Sequence, residues 1–385
     1  MIAELESMFS SAYGKLPQYR LFAPGRVNII GEHTDYNHGF VLPFAIGQGI
    51  WFLASPNNNG NIHIIAANTN EKVEASLSQP EPDYLPGWYP FILQVLKVYQ
   101  QETNIKGFDL VFGGDLPVGA GISSSSALTC GIIAVIDRMN HLKRSQKELV
   151  QMAVTAERGY GVQGGIMDQF TIFNARKNQA ILLDCSDNSY EYIDVKPGNY
   201  SFYLINTQVR HNLLDTDYNL RHNECIEAVH WINDHYKPIT TLRSLVPDDL
   251  PELQKMMNEM LFKRVSYVVE ENERVIKAKQ ALLSEDMPAL GLLLYQSHEG
   301  LSQKYEVSCP ELDWLVEYSK KSPEFAGSRM MGGGFGGCTI NLLKGTLDAD
   351  EVAALKHKYR NTFGLQPDII QVSLTSGIIE ACSHI

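Results

Sequence analysis

The chain has 385 residues, 44% of them hydrophobic and 20% charged, with a formal net charge of −12. That mix excludes a largely disordered chain and is enough for two or three domains of about 150 residues each. The acidic balance argues against nucleic acid or an anionic membrane as partner, but leaves room for an anionic substrate held by local arginines and helix ends.

The N-terminus lacks the basic start and apolar run of a secretory signal. The longest apolar segment, residues 40–54, is too short to span a bilayer and is interrupted by Pro43, Gly47, Gln48 and Gly49. Six scattered cysteines (Cys130, Cys185, Cys225, Cys309, Cys338, Cys382) form no CxxC, so they read as reduced thiols of a cytoplasmic protein.

Residues 108–113 alternate like a strand. Apolar residues at 128, 132, 135, 136 and 139 predict a helix over 127–139. A second helix opens at the capping box Ser145-Gln-Lys-Glu148 and carries the stripe Leu149, Met152, Ala153, Ala156. Residues 178–184 and 200–206 predict strands, and 218–301 is mostly helical in pattern. Strands over 338–343 and 369–374 flank a helix over 348–359. This is an α/β and α+β chain. The 194–199 stretch, with Pro197-Gly198, is the natural boundary between domains 1–195 and 196–385.

Three glycine-rich segments depart from this background. In PVGAGISSSSAL (117–128), glycines and serines run directly into an apolar helix. The first amides of a helix have no intrahelical partner and its dipole favours an anion, so Gly119, Gly121, Ser123, Ser124 and Ser125 can hold phosphate. A flexible turn with a serine cap is the other reading. No GxxxxGK[ST] occurs, so this is not a Walker loop. GSRMMGGGFGGCT (327–339) formally contains GxGxxG, but a strand-like CTINLL follows it where a dinucleotide fingerprint needs a helix. What remains is a loop where two backbones, or a backbone and a ligand, come close. APGRVNIIGEHTDYNHGFVLP (23–43) concentrates Arg26, Asn28, Glu32, His33, Asp35, Tyr36, Asn37 and His38. A metal cluster of Glu32, His33, Asp35 and His38 would fit no familiar zinc spacing. A polyol site suits the mixture of donors and acceptors better, and a solvated loop is the bland alternative.

Together these segments resemble the GHMP small-molecule kinases, and within them the galactokinase family. GIMDQF (165–170), Ser297-His298 and YEVSCPELD (305–313) add to a similarity running from about residue 20 to the C-terminus. The resemblance implies a two-domain fold with the active site in the cleft. It implies transfer of the γ-phosphoryl of MgATP to the C1 hydroxyl of α-D-galactose, giving galactose 1-phosphate. By position it makes Asp168 the catalytic base and Arg26 the arginine facing base and phosphoryl group. Glu32, His33, Asp35, Gly165 and Tyr218 match sugar contacts, Gly119, Gly121 and the serines match the phosphate loop, and Trp88 the adenine pocket. Ser125 and Glu157 match the Mg²⁺ ligands. The partners implied are galactose and ATP, with no obligate protein partner. Met330-Met331 stands where the family more often has Met-Thr, so a hydroxyl is missing there. The alternatives are a kinase for another sugar, such as N-acetylgalactosamine or arabinose, and a non-catalytic galactose/ATP sensor. Arg26, Asp168 and an intact serine loop favour the enzyme.

Overall fold

The computed structural model describes residues 1–81, 85–102, 105–117, 121–161, 164–209 and 217–380. Its strands are β1 (Tyr19–Asn28), β2 (Phe40–Val41), β3 (Pro43–Pro56), β4 (Asn61–Ala66), β5 (Glu71–Ser76), β6 (Phe108–Gly114), β7 (Gln179–Asp184), β8 (Ser189–Asp194), β9 (Tyr200–Asn206), β10 (Phe325–Met330), β11 (Cys338–Lys344), β12 (Asp368–Val372), β13 (Leu374–Thr375) and β14 (Ile379–Glu380).

The first sheet runs β14-β1-β3-β6-β4-β5, with β13 also on β3. Its alternation sorts two faces, as a period of two requires. Phe52, Ala54, Ile62, Ile64, Leu110 and Phe112 join the main core with the helices Tyr89–Glu102, Ser124–Met139 and Gln146–Tyr160. Leu53, Ile65 and Val111 point the other way, onto Leu5 and Phe9 of helix Ile2–Tyr13. The second sheet, β10-β11-β9-β12, is antiparallel, and the third is β2-β7-β8. In β9 and β11, Phe202, Leu204, Ile340 and Leu342 enter the main core, while Tyr203, Ile205 and Leu343 pack with Leu315, Leu355 and Tyr359 of helices Pro310–Lys320 and Ala349–Phe363. The strands β13 and β14, near the C-terminus, return to the first sheet by pairing with β3 and β1.

Helices Asp217–His235, Leu250–Met256, Glu259–Leu283 and Met287–Gly300, followed by a π-turn at Leu301–Tyr305, fill most of the chain between β9 and β10. Ser145 caps its helix reciprocally with Glu148, as the sequence predicts. The glycine-rich third segment is the turn of an antiparallel β10–β11 hairpin. Among the described residues no helix is long and apolar enough to cross a membrane.

Candidate active site

A cavity of about 290 Å³ collects residues from all three glycine-rich segments: Arg26, Glu32, His33 and Asp35; Gly121 and Ser123–Ser125; Gly332 and Gly333. Glu157, Gly164, Gly165, Met167, Asp168, Gln169, Tyr218 and Asn219 complete its lining. Gly119 lies outside the described residues. Trp88 does not line this cavity: its indole N–H donates to Glu71 (2.9 Å) and its ring packs edge-on against Phe112.

Local folding explains how each group reaches the cavity. A bulge between Pro24 and Arg26 interrupts the β1–β3 register, and such a bulge re-aims a side chain. The Arg26 guanidinium then grips Asp168 bidentately, Nε to Oδ1 at 2.6 Å and a terminal nitrogen to Oδ2 at 2.9 Å. Its other terminal nitrogen donates to the Gly121 carbonyl (2.7 Å), tying the pair to the phosphate-type loop. Asp168 is in the first turn of helix Met167–Asn174, where a carboxylate suits the dipole.

The serine helix starts at Ser124, three residues before the apolar periodicity begins. Its first intrahelical bond here joins Ala127 N–H to the Ser123 carbonyl (2.9 Å), so the amides of residues 124–126 stand outside the ladder. Ser123 holds the cap position in left-handed backbone (φ 60°), but its hydroxyl donates to Asp168 Oδ2 instead of capping the helix. Gly121 (φ +75°) faces Gly332 (φ +78°), where a Cβ on Gly332 would sit 3.1 Å from the Gly121 carbonyl oxygen. This is the close backbone approach expected of the third segment.

Glu32 is buried and engaged through both carboxylate oxygens. Its Oε1 accepts from Arg329 (3.1 and 3.2 Å) and from the Gly332 amide (2.9 Å), and its Oε2 from Asn28 (3.2 Å). Buried Glu271, on helix Glu259–Leu283, accepts from the Gly31 amide (2.9 Å) and so anchors the same segment. Asp35 approaches Gly165 so closely that a Cβ there would lie 2.3 Å from its Oδ2. Burial and then the Asp168 charge push the Asp35 carboxyl up to about 7. Burial pushes His33 down to about 3, so its ring is neutral. Its Nδ1 meets the Tyr36 hydroxyl at 2.7 Å, its Nε2 is buried without a hydrogen-bond partner, and its ring packs on Tyr218 (5.4 Å). His38 is exposed. Among the described residues no three His, Cys, Asp and Glu side chains group as a metal cluster, which removes the support for that reading of Glu32, His33, Asp35 and His38.

Glu157 is buried, and burial, then the Asp168 charge, pushes its carboxyl up to about 7. Its Oε1 has no hydrogen-bond partner, and Glu157 and Ser125 both line the cavity. A hard cation that takes a few oxygen ligands and keeps its phosphate and water contacts fits this donor set.

Sequence reasoning gave no site role to Arg329, Glu271 or Tyr305, and named Tyr36 only among the polar side chains of the first segment. Arg329 adjoins the third glycine run and Tyr305 opens the YEVSCPELD motif, while Glu271 carries no local hint. His298 and Asp313, noted for their motif, are 3.1 Å apart, and the Met330 amide meets His298 Nδ1 at 3.2 Å, so they brace the strand leading into the glycines.

Known proteins resemble this chain along most of its length. A family model described as the galactokinase galactose-binding signature matches residues 7–56. The GHMP kinases N terminal domain matches 90–175 and the GHMP kinases C terminal domain 278–361. A galactokinase of Thermotoga neapolitana is 37% identical over 361 residues, 93% of this chain and 99% of its own. That of Bacillus subtilis is 35% identical over 99% of each chain. The solved structure of Lactococcus lactis galactokinase complexed with galactose superposes with a TM-score of 0.90 at 30% identity, covering 99% of this chain and 100% of that one. The Methanococcus jannaschii mevalonate kinase, at TM-score 0.64 and 16% identity, shares the fold alone. The chain belongs to the galactokinase family of the GHMP kinases.

Proposed function

We propose that the protein phosphorylates galactose at its C1 hydroxyl with MgATP, releasing ADP, and that Asp168 and Arg26 carry the transfer. The observation that carries this reading is the bidentate Arg26–Asp168 pair, set in one cavity with the N-terminus of the serine helix and the sugar-signature side chains. The C1 hydroxyl gives its proton to Asp168 as its oxygen bonds to the γ-phosphorus and the bond to the ADP oxygen breaks. Phosphoryl transfer asks mainly for positioning and charge stabilisation. Arg26 supplies the second, against both the carboxylate and the transferring group. Asp35, the free Nε2 of His33, the spare capacity of Glu32 Oε2 and Tyr218 hold the sugar, with Gly165 making room for Asp35.

The amides of residues 124–126, with Gly119, Gly121, Ser123 and Ser124, receive the phosphates. Ser123 also holds Asp168, so it belongs to the base as much as to the loop. Trp88 has its N–H engaged, so it offers the adenine only a ring face. Ser125 and Glu157 would hold Mg²⁺, and the partnerless Glu157 Oε1 supports that fit. When bound, the ion neutralises phosphate charge. We also keep the division into 1–195 and 196–385, since the cavity draws residues from both, and cytoplasmic location, consistent with five free cysteines among the described residues.

A coupled ADP-release assay over a panel of aldohexoses, N-acetylgalactosamine and arabinose tests the reading. Turnover is expected with galactose and Mg²⁺. Binding of galactose and ATP without ADP release would refute it in favour of a sensor, and faster turnover of another sugar would reassign the substrate.

A further inference from the structure

A chain of buried hydroxyls leads away from the cavity behind His33. The Tyr36 hydroxyl lies 2.7 Å from His33 Nδ1 and 2.9 Å from the Tyr305 hydroxyl, which lies 3.1 Å from Cys225 Sγ. Tyr305 closes the π-turn Leu301–Tyr305, and single π-turns recur at functional sites. The turn is clamped from two helices: Arg221 donates to the Tyr305 carbonyl (2.7 Å), and Arg264 to Glu306 Oε2 (2.7 Å). Both arginines also hold Glu224, Arg264 at 2.6 Å. The chain's far end is therefore fixed.

With each phenol proton used inside the chain, the protons run in one of two ways; any other arrangement leaves a buried phenol O–H without an acceptor in the chain. In one, the thiol donates to Tyr305, Tyr305 to Tyr36, and Tyr36 to His33 Nδ1, which leaves the ring's single proton on Nε2. In the other, Nδ1–H donates to Tyr36 and the sequence ends on a phenol donating to sulfur. Both contain the same phenol–phenol bond. Both also span the 2.7 Å Nδ1–phenol contact and the sulfur contact, but the first pairs the more acidic phenol O–H with the imidazole nitrogen, the better acceptor, whereas the second sets an imidazole N–H, the poorer donor, on a phenol oxygen. Burial keeps both phenols protonated, raising their pKa values well above the ordinary range.

We infer that Tyr36 and Tyr305, backed by Cys225, fix His33 as the Nε2–H tautomer, so that this ring donates to the sugar oxygen it meets and cannot accept from it. Tyr36 and Tyr305 are then specificity-determining positioning residues. The inference rests on the cavity being the sugar site. It adds a direction to one contact: the matching sugar oxygen must accept, so its own proton must go elsewhere.

Long-range ¹H–¹⁵N correlation of histidine-labelled protein, with His33 assigned by difference from His33→Asn, reads the tautomer directly. A protonated Nε2 and bare Nδ1 are expected, with the Nε2 resonances moving on galactose addition. A protonated Nδ1 in the parent protein overturns the inference, whatever the variants do. Tyr36→Phe should raise the galactose KM about tenfold or more with kcat changed less, as one buried hydrogen bond that orients the ring is lost. Tyr305→Phe should act in the same direction, more weakly. A Tyr36→Phe protein with unchanged KM also overturns it. The two levels separate cleanly: if His33 is Nε2–H but galactose neither shifts it nor turns over, the sugar-site reading has failed; if galactose turns over and His33 is Nδ1–H, only this inference has.

Discussion

Replacing Asp168 by Asn separates chemistry from binding. The parent carboxylate accepts from Arg26 through both oxygens, at 2.6 and 2.9 Å, and from the Ser123 hydroxyl through Oδ2. An amide has one acceptor oxygen. If its nitrogen takes the Oδ2 place, a donor faces Arg26 and Ser123; if it takes the Oδ1 place, a donor faces Arg26 Nε. Either way the buried guanidinium loses charge balance. Breaking a buried pair costs about 3–5 kcal/mol, and the lower end is expected here because the Asp168 side chain is 24% exposed. A fall in Tm should therefore accompany the substitution, and the kinetics must be taken where the variant is folded. Loss of a general base costs about 10²–10⁴ in rate, or about 2.7–5.5 kcal/mol of barrier. Galactose affinity should stay close to that of the parent, because Asp35, His33 and Tyr218 are untouched. Calorimetry reads the affinity, and coupled ADP release at saturating substrates reads kcat. A folded Asp168→Asn protein turning over within about threefold of the parent would refute the base assignment, and a matched loss of affinity would refute the separation of roles.

Galactose should be preferred over its C4 epimer glucose by roughly 10⁴-fold in kcat/KM, because polar groups aimed at the axial hydroxyl are left unpaired by the epimer; Asp35→Ala should narrow the gap, and similar values for the two sugars would sink the assignment. Gly165→Ala puts a methyl 2.3 Å from Asp35 Oδ2 and must displace that carboxylate, so steady-state kinetics should show a higher galactose KM with the ATP KM nearly unchanged. Glu157→Gln should raise the Mg²⁺ needed for half-maximal rate, and an unchanged titration would remove Glu157 from the metal. Asp35 and Glu157, both pushed up to about 7 by burial, favour the folded chain below their unfolded values, and that contribution is lost as pH rises to about 7. The ligand-free Tm should accordingly fall between about pH 4 and 7 and fall less in Glu157→Gln, and a rise over that interval would contradict the burial of these groups.

What the sequence made legible was local. Alternation in β6 and the apolar period of helix Ser124–Met139 are properties of neighbouring residues, as is the capping box at Ser145. The helix begins earlier than its periodicity because serines belong to its first turn, where apolar spacing gives no signal. The strands β13 and β14 have two residues each, too few to carry an alternation. The three glycine segments stood out because their chemistry is dense, but their meeting is a tertiary fact. Glu32 and Arg329 are 297 positions apart, Gly31 and Glu271 are 240 apart, and Tyr36 and Tyr305 are 269 apart. No single-sequence pattern encodes such pairs. Ser123 shows the same limit at closer range: its type fits a cap, and only the placement of Asp168 redirects its hydroxyl.

Glu32 shows why a site residue cannot be weighed by deletion alone. The family resemblance makes it a sugar contact, and it lines the cavity. Yet it also neutralises Arg329, a fully buried arginine whose remaining donors go to the carbonyls of Asn28, Ile29 and Met330. Its Oε1 further holds the Gly332 amide beside Gly121, so one carboxylate fastens the sugar segment to the third glycine turn. Removing it leaves a buried cation unpaired, which is strongly destabilising whatever the sugar does. Even Glu32→Gln would set an amide nitrogen against either Asn28 or the Arg329 and Gly332 donors. Lost activity in such a variant would therefore report the collapse of the turn as readily as a lost sugar contact. Asp35 and His33 hold no buried cation of this kind: Asp35 packs against Gly165, and His33 lines the cavity with its Nε2 partnerless. The sugar assignment must accordingly stand or fall on those two residues, with Glu32 treated as the joint that brings them into place.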